Sequence, residues 1–252
     1  GYVELEPYKG LGRMIREFGH TEKGNARPAE SYQDWKKQAF IDAEENIDLY
    51  APYHVMAVDT EASEIESVTA VHIETGEKVR LHGRLFADCT GDGTVGFLAG
   101  ADWTMGRESR DEYGERSAPV KADDMVMGAS VQWYSRKCPQ KTVFPEFSYG
   151  VEFNASNCEK VTMGEWTWET GMNRDQIADA ERVRDYGLLV IYSNWSWLKN
   201  HSGDAAYADR SLDWVAYIAG KRESRRLLGD HVLSQQDIDR DIQHEDASFT
   251  TT

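Results

Sequence analysis

Three cysteines in 252 residues, Cys89, Cys138 and Cys158, are too few and too scattered for a disulfide framework. No CxxC is present to ligate zinc or an iron–sulfur cluster. Long apolar runs are missing too: none approaches the roughly 20 residues of a membrane helix. Positive charge is in deficit, with 28 basic against 44 acidic residues, a formal net charge of −16 and a pI of about 4.8. Such a field opposes nonspecific nucleic-acid binding and anionic membranes, so neither is expected as a partner. What is present suits a globular chain. Hydrophobic residues make up 40% and aromatics 11%, enough to exclude disorder, and the length allows one large or two small domains.

The most informative stretch is residues 85–101, LFADCTGDGTVGFLAGA. It reads as a buried strand at Leu85, Phe86 and Ala87, then a turn at Thr90, Gly91, Asp92 and Gly93, then an apolar helix closed by Gly100. Glycines on both sides of Asp92 let the backbone turn sharply and approach a ligand without Cβ interference. Amides at the start of the helix would face an anion, which the helix dipole favours. A phosphate or pyrophosphate is the expected occupant. Two blander readings compete. Asp88, Asp92 and Gly93 partly mimic a calcium loop, but Ala99 stands where its bidentate Glu belongs. A tight glycine turn with no ligand is the other.

The run from Phe86 to Gly93, continuing through Ala99-Gly100-Ala101 and Gly106-Arg107-Glu108, resembles the second flavin-contacting motif of two-dinucleotide-binding flavoproteins. In particular it resembles the FAD-dependent oxidoreductase family related to the heterodisulfide reductase A-like flavoproteins. Two further blocks are similar to segments of that family, in the family's order: Gly220-Lys221-Arg222-Glu223-Ser224-Arg225-Arg226, and Trp166-Thr167-Trp168-Glu169-Thr170-Gly171 with Asn194-Trp195-Ser196. The resemblance implies an α/β fold: a partial FAD/NAD(P)-binding Rossmann-like domain with a β-meander, and an inserted α+β substrate domain. It implies FAD as cofactor and hydride transfer between an unidentified small-molecule substrate and the flavin N5. The family carries a first βαβ unit with a glycine-rich pyrophosphate turn ahead of this region, and no GxGxxG is expected in this chain. Gly1 is not an initiator Met, and no signal peptide is visible. The chain is therefore expected to be the central part of a longer flavoprotein, binding FAD weakly by itself. Localisation and oligomeric state are not legible.

For organisation, residues 1–12 read as a connector, 13–18 as a short helix and 20–27 as a polar loop. Residues 29–45 carry Tyr32, Trp35, Ala39 and Ala43 at the spacing of an amphipathic helix. Residues 48–59 read as a strand pair broken at Pro52. Residues 65–73 and 78–86 alternate around Thr75-Gly76, a hairpin turn. Residues 125–134 alternate as a strand, and residues 175–199 and 207–219 have helical spacing. The expected parts are a partial FAD-binding domain at 1–105, an inserted substrate domain at 106–220, and a return segment at 221–252.

Candidate site residues follow from these parts. Thr90, Gly91, Asp92 and Gly93 are the expected cofactor turn. Val55 falls where the resembled family places a backbone contact to adenine. Cys89 is expected to be a small buried thiol. Six of the eight tryptophans lie beyond Gly106, and Trp beside polar residues suits a sugar pocket, so Trp168, Glu169, Asn194 and Trp195 are the expected substrate residues. Glu165 and Glu169 also form a paired-carboxylate candidate, although nothing in the sequence fixes their separation. Arg222 or Arg225 could stabilise negative charge on a reduced flavin or bind a substrate carboxylate. His201 is the candidate base. No metal site is expected. A noncatalytic, aromatic-rich carbohydrate-binding or interaction module is the competing reading.

Overall fold

The structure, a computed structural model, describes residues 26–242 and His244. The expected connector at 1–12 and helix at 13–18 lie outside the described residues. The chain divides into two compact units, Gly1–Ala51 with Val232–Thr252, and Pro52–His231.

In the first unit, the expected amphipathic helix is split. A 3-10 turn, Ala29–Tyr32, is followed by Gln33 at φ +50°, and α1 then runs Asp34–Asp42. No residue of α1 is buried, and Trp35 is 70% exposed. The three-and-four spacing does form a helix, but its apolar positions bury nothing. A short helix, Gln235–Asp239, opens on a capping box in which the Ser234 N–H donates to the Asp237 carboxylate at 2.8 Å.

The second unit begins with the meander: β1 Tyr53–Glu61, β2 Glu64–His72 and β3 Lys78–His82, antiparallel in that order. Residues before Pro52 add no strand, so the expected pair is one strand. The Thr75-Gly76 turn is as expected, with Gly76 at φ +76° donating its N–H to the His72 carbonyl at 2.9 Å. Val68 and Ala70 alternate into the interior of β2, and the buried Ser67 hydroxyl donates to Asp59 across the pair.

Residues 85–87 form no strand. Leu85 is 92% exposed and Ala87 and Cys89 are not buried either, against the expectation of a buried strand and a buried thiol. The physical reason is the missing ladder: no described strand pairs with this segment, so there is no sheet to bury it. Every strand pairing among the described residues is antiparallel. The chain is mixed α/β, with helices and several small sheets.

Helix α2, Thr94–Leu98, follows the glycine turn and packs on β1. Next come β4 Trp103–Thr104, the single turn α3 Arg110–Tyr113, and the expected strand at 125–134, which is broken into β5 Ala129–Ser130 and β6 Trp133–Lys137. β7 Met163–Gly164 flanks β6, and β8 Glu169–Thr170 pairs with β5. Helix α4 runs Ala180–Asn200, starting later than expected because the Asp175 carboxylate accepts the Ile177 and Ala178 N–H groups in a turn. The expected helix at 207–219 is instead β9, Arg210–Val215, paired with β6. There the pairing with β6 prevails over the helical spacing: Leu212 and Val215 both pack against the core, across a register shift opposite Tyr134 and Ser135, while Trp214 stays exposed. β10, Arg226–Leu227, returns to β4.

One core anchors this unit. Val183, Gly187, Val190, Ile191, Asn194, Trp195 and Leu198 share the buried face of α4. Trp195 is fully enclosed, edge-on to Trp133 at 5.6 Å and to Tyr207 at 6.0 Å between ring centroids. Gly187 is required by the close approach: a Cβ there would lie 2.6 Å from Val131 Cγ2. Trp195→Ala is expected to cost about 3–5 kcal/mol of unfolding free energy. Trp195→Phe should cost much less, because the lost Nε1 has no acceptor among the described residues and the edge-on contacts remain. Urea unfolding of both variants checks the order; equal losses would contradict the packing argument.

Candidate functional site

The glycine turn is built from the inside by its own side chains. Asp88 Oδ1 accepts the Thr90 N–H at 3.0 Å and the Thr90 hydroxyl at 2.7 Å, while its Oδ2 accepts the Gly96 N–H at 3.0 Å. Thr90 Oγ1 in turn accepts the Thr94 N–H at 2.9 Å. The first amides of α2, expected to face an external anion, are therefore partly engaged by an internal one. Partial burial pushes the Asp88 pKa up, and the hydrogen bonds from Gly96 and Thr90 more than offset it, leaving the carboxyl below the ordinary range.

Outside that knot the turn is open. Gly91 has φ +80° and Gly93 φ +59°. A Cβ added at Gly91 would meet nothing within 4 Å. The N–H groups of Gly91, Asp92 and Gly93 have no acceptor among the described residues. The run Gly91-Asp92-Gly93-Thr94-Val95-Gly96 has G-x-G-x-x-G spacing, which corrects the expectation that the chain has no such pattern; weighing only the two glycines around Asp92 misses it. The third one matters. Leu227 of β10 lies so close to Gly96 that a Cβ would strike its side chain, and Leu227 Cγ is 3.0 Å from a Cβ at Gly93.

The return segment clamps the turn. Lys221 Nζ donates to both Asp92 oxygens, at 2.7 and 2.5 Å, and the buried Ser224 hydroxyl donates to Asp92 Oδ1 at 2.6 Å. Burial raises the Asp92 pKa, but Lys221, Ser224 and the charge of Arg225 outweigh it and hold the group below its usual value. Arg225 lies over the Phe97 ring at 3.8 Å and near Trp103 at 5.8 Å, and its Nη1 is buried with no partner among the described residues. Arg226 binds Glu108 at 2.7 Å, the Gly106 carbonyl at 2.7 Å and Glu223. Lys221, Ser224 and Leu227 were not among the expected site residues. The only sequence signal was the unpaired charge of Asp92, and nothing in a separation of 129 residues says which cation answers it.

The model of the FAD dependent oxidoreductase family matches residues 20–248. The chain belongs to the FAD dependent oxidoreductase family. Neither the curated proteins nor the solved structures compared gave a match.

FAD is the cofactor of this family, and the open side of the turn fits such a group. Gly91 leaves a space that a Cβ would fill, and three adjacent backbone donors have no acceptor among the described residues. Val55 lies on β1, an edge strand among the described residues, so one backbone edge is not paired within the sheet.

The other expected residues are distributed unevenly for an FAD oxidoreductase site. Arg222 reaches Glu169 at 2.6 Å and lies 5.4 Å from the Trp166 ring, joining β8 to the return segment. Trp168 is half-buried against Phe153, and its Nε1 has no acceptor among the described residues. Asn194 and Trp195 are core residues, a correction to their expected place in a substrate pocket: both are fully enclosed, because α4 turns that face toward the apolar core. Asn194 Nδ2 donates to Cys158 Sγ at 2.9 Å, and burial pushes that thiol up to about 11 despite the bond. His201 Nε2 sits 2.9 Å from Glu146 in an exposed cleft of about 360 Å³ with Ser193 and Ser196, apart from the turn's own contacts.

Because Asp88 and Asp92 are both lowered on folding, their stabilisation is present above the ordinary aspartate value of about 3.9 and is lost as pH falls through it toward the folded-state values. Urea unfolding between pH 6 and pH 3 should therefore show a smaller loss of stability for Asp92→Asn than for the wild type. Parallel curves would contradict the clamp.

Proposed function

We propose that this chain supports flavin-dependent oxidation–reduction of a small molecule, with the turn from Thr90 to Gly93 as a contact to FAD. The observation that carries the reading is the open glycine turn held from behind by Lys221 and Ser224, in a chain whose family is that of FAD dependent oxidoreductases. In this reading the meander and α2 belong to a Rossmann-like FAD domain, residues 106–220 are an inserted substrate domain, and the return segment closes onto the flavin site. The likeness to heterodisulfide reductase A-like flavoproteins belongs to the same reading.

When bound, FAD supplies hydride transfer at N5 to or from a substrate carbon. The chain's residues do the holding. Gly91, Asp92 and Gly93 offer backbone N–H groups to an anionic or polar part of the cofactor, and Val55 offers its strand edge to the adenine. Lys221 neutralises Asp92, so the turn does not present an uncompensated negative charge to a phosphate. Arg225, fixed over Phe97, sets a positive charge beside the turn that favours electron-rich states nearby. Arg222 is held by Glu169, which makes it a positioning residue between the insert and the return segment.

Gly91→Asn in the full-length protein tests the turn. Asparagine tolerates a positive φ, and its Cβ would stand in open space, so folding should be retained while the ligand side is filled. The expected result is an unchanged melting temperature of the flavin-free protein and at least a tenfold weaker retention of FAD, read by flavin absorbance after gel filtration. Stoichiometric flavin in the variant would overturn the assignment.

A further inference from the structure

Between the start of α4 and the return segment lies a cavity of about 310 Å³, at the small end of the range of roughly 300–1,000 Å³ for ligand pockets. Its walls are mainly apolar: Ala129, Ala180, Val183, Tyr217, Ile218 and Ala219. None of the residues expected to bind substrate lines it. One polar residue of the wall is unsatisfied. Gln176 is 1% exposed, and its Nε2 donates to the Gly171 carbonyl. A carbonyl only accepts, so that bond fixes the amide orientation and leaves Oε1 as the remaining acceptor. Oε1 is buried and has no partner among the described residues. An acceptor left in that condition is costly, and a ligand donor would relieve it.

The charged groups of the wall are already answered. Arg184 binds Glu181 at 2.5 Å and Asp185 at 2.7 Å, and its guanidinium lies 4.6 Å from the Tyr217 ring centroid. Lys221 is bound to Asp92. Lys221 is thus both a wall of the cavity and the clamp of the glycine turn, which sets the cavity one side chain away from that turn.

We propose that this cavity is the substrate pocket and that it takes a neutral, ring-bearing alcohol whose hydroxyl donates to Gln176 Oε1. The proposal rests on the flavin reading above. A charged ligand would find no free counter-ion among the named groups. A sugar would bury several hydroxyls against a wall with one unpartnered acceptor, and each unpaired hydroxyl costs free energy. The apolar lining instead matches a ring, and the single acceptor matches a single donor.

The test uses the full-length protein incubated with FAD, with benzyl alcohol and benzyl methyl ether as probes, by isothermal titration calorimetry. The ether keeps the ring and oxygen but has no donor. The wild type should bind one benzyl alcohol about tenfold more tightly than the ether, the scale of one hydrogen bond to a buried acceptor. Gln176→Leu should erase that preference while still binding both probes. Ala180→Trp, at the first residue of α4, should fill the cavity and lose both probes without losing flavin. Equal binding of the two probes by the wild type, a preference that survives Gln176→Leu, or undiminished binding by Ala180→Trp would each overturn the pocket. Flavin absorbance of the same samples separates the two readings. Stoichiometric flavin with no benzyl alcohol binding refutes the pocket alone, whereas the expected probe preference in protein that never holds flavin refutes its role as a substrate pocket.

Discussion

The carboxylate of Asp92 is the fixed point of the site. It sits between two glycines with positive φ, and it is met by Lys221 and Ser224, which arrive 129 and 132 residues later in the chain. That meeting settles where the return segment can lie. Leu227 then packs against Gly93 and Gly96, Arg225 lies on Phe97, and Arg226 reaches the Gly106 carbonyl. Removing the ion pair would leave the turn with unpaired charge and weaken the hold on a return segment whose strand pairing, between β10 and β4, is two residues long. An exposed salt bridge is worth little by itself, but this pair is partly buried and shares its acceptor with a hydroxyl, so several contacts stand or fall together.

The rest of the second unit serves to hold that segment in place. Helix α4 and the β7-β6-β9 sheet make an apolar core around Trp133 and Trp195, and Ser130 of β5 bridges to Gly220, the residue just before the return segment. The tryptophans that suggested a carbohydrate surface divide accordingly. Trp133 and Trp195 are core, and Trp166 supports Arg222, so aromatic content by itself gives no case for a sugar-binding module. Unpartnered polar capacity lies at the backbone of the glycine turn, beside open space, and at the buried side-chain carbonyl of Gln176 in the wall of the cavity.

What can be read from the sequence is local. The hairpin at Thr75-Gly76 follows from alternation plus a glycine, and most of α4 from the helical spacing of its apolar and small residues. Residues 85–87 mislead because an apolar run says nothing about whether a neighbouring strand exists to pair with it. Residues 207–219 mislead because their apolar positions satisfy helical and strand periods alike, and only the pairing with β6 decides. The turn itself is visible, with a third glycine in plain sight at position 96. Its clamp is not, since Lys221 is one of 28 basic residues and its role depends wholly on where the chain returns. Asn194 and Trp195 are misplaced for a similar reason: a polar–aromatic pair looks the same in a pocket and on the buried face of a helix.

In the proposed function the Asp92 clamp and flavin binding form one system. A double-mutant cycle of Asp92→Asn and Lys221→Met in the full-length protein, read as the FAD dissociation constant, addresses it most directly. Strong non-additivity is expected, with the double variant binding FAD no more weakly than either single variant, because each change alone releases the turn. Two independent losses that sum in the double variant, or wild-type affinity throughout, would contradict it.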